Sequence, residues 1–160
     1  MRQRPELLTL MALLLAGSAY AAAPAAGPAK LKVVTLHVFN RVFANFHDKV
    51  QALPNREFRI GDTEYTGRVI EFVPDFSMDL KSHKIITRSG EPKNPAFHVV
   101  VYKSGVPQDT SWAFFNMPPH YGTRDVLAFV ATDIQFVNRP PLVSGDSLAL
   151  RIRSHEGSAR

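Results

Sequence analysis

Polar and apolar residues alternate over much of the chain, the period expected where one face of a strand meets a core and the other meets solvent. In residues 96–102 (AFHVVVY), Phe97, Val99 and Val101 fall on one face, and His98, Val100 and Tyr102 on the other. Residues 126–137 form the longest such run. It is read with Val126, Ala128, Val130, Ile134 and Phe136 on one face and Asp133 and Gln135 opposite. Residues 147–153 alternate too, Leu148, Leu150 and Ile152 against Arg151 and Arg153. Residues 64–73 (EYTGRVIEFV) are rich in β-branched and aromatic side chains, and shorter strands are predicted at 31–38, 57–60, 84–88 and 110–115. Gly61-Asp62, Pro74-Asp75, Ser89-Gly90, Asn94-Pro95, Gly105, Pro118-Pro119 and Pro140-Pro141 punctuate these runs. Many short strands between Gly/Pro turns predict a mainly β fold, a single antiparallel sandwich or barrel-like domain.

One stretch has a different period. Phe39, Val42, Phe43, Phe46, Val50 and Leu53 recur at spacings of three, four and seven, which predicts one short helix near residues 39–53, ended by Pro54-Asn55.

Arg2 and Arg4 precede an apolar run, LLTLMALLLAG at 7–17, and Ala19-Tyr20-Ala21 fits a signal-peptidase site. The expected organisation is a signal peptide at 1–21, a flexible Ala/Pro/Gly tether at 22–30, one β-rich domain at 31–154 and a disordered tail at 155–160. The expected location is periplasmic or secreted, with no transmembrane helix once the leader is cut. Without the first 21 of its 160 residues the chain keeps 139, enough to bury a core unaided. The net charge is +5, and losing Arg2, Arg4 and Glu6 leaves +4. Its positive residues are scattered among carboxylates, so nucleic acid is not an expected partner. No cysteine is present, which excludes disulfides, thiolate metal sites, a cysteine nucleophile and lipid attachment through cysteine.

The densest chemistry lies between 72 and 122. Pro92 and Pro95 stiffen RSGEPKNPAF (88–97), so Arg88, Glu91, Lys93 and Asn94 are candidate partner-binding residues. Asn116 and Tyr121, in the proline-bracketed segment NMPPHYG (116–122), join them. The plainer reading is that 88–95 builds a tight turn, with Asn94 bonding its own backbone. His98, Met117 and His120 form a candidate soft-ligand set for copper or haem, with Met78 and His83 a second pair. Asp75 and Asp79, four apart, could serve as paired acid and base; the plainer reading is that they flank a turn, solvated or with Asp75 capping it. Residues 61–68 (GDTEYTGR) lack the spacing and the lysine of a phosphate loop, and neither G-x-S-x-G nor H-E-x-x-H occurs. These absences point away from an enzyme.

EFVPDF (71–76), RSGEPKNPAF (88–97) and TSWAFF (110–115) resemble a pattern of small exported bacterial proteins. They also resemble the β-rich periplasmic part of ResB-type cytochrome c biogenesis proteins, over roughly 58–136. This chain lacks the membrane helices that handle haem there, so the resemblance implies only a β domain in an envelope-assembly role. The expectation is therefore an exported, non-enzymatic accessory domain that meets an envelope protein through its proline-rich loops, holding no cofactor. A periplasmic copper or haem carrier using His98, Met117 and His120 is the alternative. N-terminal sequencing of the exported protein is expected to begin at Ala22; a mature chain still starting at Met1 would overturn the leader.

Overall fold

The computed structural model describes residues 27–115, 117–119 and 125–145. Its strands are β1 (Leu31–Asn40), β2 (His47–Ala52), β3 (Glu57–Arg59), β4 (Tyr65–Val73), β5 (Phe76–Met78), β6 (Ile85–Thr87), β7 (Ala96–Lys103), β8 (Val106–Phe115), β9 (Leu127–Phe136) and β10 (Leu142–Val143). The predicted leader, the strand at 147–153 and the tail lie outside the described residues. Among the described residues no helix is long and apolar enough to cross a membrane.

Seven strands form one sheet in the order β2-β1-β9-β8-β7-β4-β3, with β10 added beside β9. Every pairing is antiparallel except β8 with β9, which is parallel. The end strands β2 and β3 lie against each other, and Gly61 N–H donates to Asp48 Oδ2 at 2.6 Å, so the sheet curls into a nearly closed barrel. Closure removes most of the exposed strand edge. The barrel-like mainly β expectation stands.

The interior is filled by Val34, Leu36 and Val38 from β1, Val69 from β4, Phe97, Val99 and Val101 from β7, and Leu127, Phe129, Ala131 and Ile134 from β9. Burying one large apolar side chain such as Phe97 or Leu36 contributes about 1.5–3 kcal/mol. Two bulges keep this face apolar. On β4 the register jumps between Val69 and Glu71, leaving Ile70 as the extra, exposed residue, so that both Val69 and Phe72 face inward.

On β9 the jump leaves Thr132 unpaired between Ala131 and Asp133. This corrects the expected faces of 126–137. Strict alternation holds for Ile134 and Phe136, but across the bulge it is Leu127, Phe129 and Ala131 that enter the core. A single inserted residue reverses the parity of everything before it.

The helix expected near 39–53 is absent. Asn40 Oδ1 accepts from the N–H groups of Val42 (2.8 Å) and Phe43 (3.0 Å), and Phe46 N–H donates to Phe43 O, so the chain reverses and β2 returns along β1. Phe39, Phe46 and Val50 still reach apolar neighbours, whereas Val42 and Phe43 are exposed at the hairpin tip.

The end of the expected flexible tether is also fastened. Ala29 N–H donates to Gly90 O, Lys30 N–H to Asn138 Oδ1, and Arg139 to Gly27 O at 2.7 Å. Residues 27–30 therefore belong to the folded domain.

Gly67 pairs with Phe58, and a Cβ there would clash with Cζ and Cε2 of the Phe58 ring. Gly67→Val is expected to destabilise the barrel by about 1–3 kcal/mol through this overlap. Chemical denaturation measures it, and an unchanged midpoint would contradict the packing.

Candidate functional site

At the end of the barrel where β4 and β8 finish and β7 begins, residues 74–95 build a second, smaller layer. Pro74 ends β4, and β5 and β6 then form a separate two-stranded sheet, Phe76 opposite Thr87 and Met78 opposite Ile85. The turn between them is held by Asp79. Its Oδ1 accepts from Ser82 N–H and Ser82 Oγ (both 2.7 Å) and from Lys81 N–H (3.2 Å). The Ser82 N–H, then the Ser82 hydroxyl and the Lys81 N–H, outweigh burial and keep the Asp79 carboxyl below its ordinary range.

Asp75 is the hub of this layer and is only 3% exposed. Its carboxylate accepts from Arg88 at 2.9 Å and from Ser89 Oγ at 3.0 Å. Its backbone N–H donates to Thr87 Oγ1, and its carbonyl accepts from Arg88 N–H. Burial alone would raise the Asp75 pKa. The Ser89 and Arg88 hydrogen bonds, with the positive charges of Arg88 and Lys93, outweigh burial and hold the carboxyl below its ordinary value of 3.8.

The candidate loop residues are largely occupied within the domain. Arg88 neutralises Asp75 while most of its side chain stays exposed. Asn94 bonds not its own turn but the hairpin: its Nδ2 donates to Phe76 O at 3.0 Å, and its carbonyl accepts from Phe76 N–H. Glu91 accepts from Arg139 at 2.6 Å, tying the loop to the chain after β9. Lys93 is exposed, and its side chain makes no hydrogen bond or ion pair among the described residues. Asn116 and Tyr121 lie outside the described residues.

His98 sits in a row crossing three strands, between its register partners Glu71 on β4 and Trp112 on β8. Its ring stacks on the Trp112 ring, centroids 4.6 Å apart and 8° from parallel, and its Nδ1 lies 3.7 Å from Glu71 Oε2. Phe76 extends the row, 5.8 Å from Trp112 and 4.9 Å from Phe114, so the small layer is glued to the barrel by aromatic contact.

Met117 lies past the end of β8. The three steps along the strand from Trp112 to Phe115 already carry the chain about 10 Å away from His98. His120 lies outside the described residues. Among the described residues no three His, Cys, Asp or Glu side chains are grouped to hold a metal ion.

Leu80 and Ile86, which the sequence reading did not single out, are also prominent here. Met78, Leu80 and Ile86 are exposed on the β5–β6 hairpin, Leu80 at 87%. A hydrophobic residue within a turn rich in Asp, Lys and Ser was the signal available for Leu80. Comparison with protein-family models, with curated proteins and with solved structures gave no match.

A carboxylate held below its ordinary pKa stabilises the fold above that value and loses the effect as pH falls through its lower folded pKa. Asp75→Asn is therefore expected to lower the melting temperature at neutral pH. The gap from the native chain should close as pH drops below 3.8. A gap of constant size across a pH series of thermal melts would show that the charge is not what matters.

Proposed function

We propose that this chain is an exported, non-enzymatic accessory domain that binds an envelope protein through the loop 88–94 and the adjoining β5–β6 hairpin. The observation that carries this reading is the buried Asp75, which fastens both segments to each other and to the barrel. A surface held in one conformation before contact loses little entropy on binding.

That surface combines exposed apolar groups with positive charge. Leu80 in the hairpin turn and Met78 and Ile86 on its two faces are exposed, as are Lys81, Lys84, Arg88 and Lys93. Glu91 within it is paired with Arg139, and Asp75 with Arg88. The partner this fits has an apolar patch rimmed by carboxylates. Asn116 and Tyr121, which follow β8 in the sequence, are proposed as further contact residues.

Two substitutions test the surface without touching the hub. Lys84→Glu and Leu80→Asp alter exposed side chains that do not act on Asp75, so both variants should melt with the native chain. Each is expected to weaken partner capture, in crosslinking within the native envelope, by about tenfold, equivalent to ~1.4 kcal/mol. Equal recovery of the same partner by both variants and the native chain would sink the proposal.

A further inference from the structure

The opposite end of the barrel carries a different arrangement. β8 and β9 pair only at Phe114↔Val130 and Phe115↔Ala131. Continuing that parallel register places Ser111 level with Leu127 and Asp109 level with Asp125. Around those levels a cavity of about 510 Å³ opens at the barrel mouth, lined by Tyr65, Val101, Asp109, Ser111, Asp125 and Leu127.

Register shows that these polar groups sit on the inward face. Val99 and Val101, both core residues, pair with Ser111 and Asp109. An acid and a hydroxyl thus occupy positions where the rest of the barrel carries valine, phenylalanine or leucine. Ser111 is 4% exposed, and its hydroxyl has no hydrogen-bond partner. A buried, unsatisfied hydroxyl destabilises a fold and calls for an explanation.

The chemistry of the lining selects a class of ligand. Asp109, Asp125 and the Gln108 carbonyl accept hydrogen bonds, and Ser111 Oγ can accept one. Two carboxylates favour a positive charge. The volume falls in the range of small-molecule sites, and the walls formed by Val101, Leu127 and the Tyr65 ring suit an apolar body rather than a bare ion. Tyr65 already faces one ammonium: Lys103 Nζ stands 5.6 Å from its ring centroid at the rim, held there by Glu64 at 3.0 Å.

We infer that the barrel mouth is a binding site for a small organic ammonium compound, its charged nitrogen between Asp109, Asp125 and Ser111 and its apolar part against Val101, Leu127 and Tyr65. The site lies at the far end from the 88–94 loop, so it stands or falls independently of the proposed contact surface.

The test is a titration of the ¹⁵N-labelled full-length chain with n-butylammonium chloride, with calcium chloride and sodium chloride as separate arms. The amine is expected to give saturable amide shifts centred on Asp109, Ser111 and Leu127, with millimolar affinity as ligand efficiency allows for so small a molecule. Asp109→Asn should weaken it by at least about tenfold. Ser111→Ala should raise the melting temperature of the free protein, by removing the unsatisfied hydroxyl, and weaken amine binding about threefold to tenfold. The inference is overturned by an absence of saturable shifts up to about 100 mM amine. Equal shifts with calcium, marking a metal site, would also overturn it, as would unchanged amine affinity in Ser111→Ala. The last result is decisive even if Asp109→Asn fails to fold.

Discussion

Curling a seven-stranded sheet until β2 meets β3 hides one whole face from water, and the rest of the molecule depends on that face staying apolar. Side chains alternate strictly along a strand, so a long strand that also bends around a barrel soon turns the wrong residues inward. Two of the register shifts in the sheet answer this constraint. Ile70 on β4 and Thr132 on β9 each absorb one residue, which lets Val69 and Phe72, and likewise Ala131 and Ile134, all face the interior. Extra local twist at a bulge also helps a sheet to close.

What the apolar face does for the barrel, one ionic group does for the layer outside it. A two-stranded hairpin such as β5–β6 has too little to bury to be stable alone. It is held by Phe76 against Trp112 and Phe114, and by Asp75. Burying a carboxylate is unfavourable unless its oxygens are matched, and here Arg88 and Ser89 match both. The consequence reaches far along the chain. Glu91 on the same loop holds Arg139, and Arg139 holds Gly27, so the segment before β1 leaves the domain beside the loop.

The strands were legible in the sequence wherever alternation ran unbroken. Residues 96–102 behave as their pattern predicts because β7 packs against the core over its full length. Reading failed where one residue changed the period. Nothing local distinguishes Thr132 from its neighbours as an insertion, since the bulge is defined by the partner strand β1. The stripe at 39–53 failed differently. Its apolar residues recur at helical spacing, but the Asn40 side chain competes for the N–H groups that a helix would use, and β9 offers β1 a pairing partner. In the candidate surface, Pro92 and Pro95 marked the loop but not the contacts that tie it down. The Asp75 partnership was not readable, because thirteen residues separate it from Arg88.

The two ends of the barrel differ in how they treat polar groups. At the loop end, the buried Asp75 carboxylate has Arg88 and Ser89 as partners, and the Asn94 amide has Phe76 O. At the mouth, Ser111 has none, and two carboxylates line the same cavity. An apolar residue at position 111, on the face shared with Val99, would satisfy the core better than serine. Local stability gives no reason for that hydroxyl. A polar occupant of the mouth supplies one, and it asks nothing of the surface at the other end, which the Asp75 hub holds in place on its own.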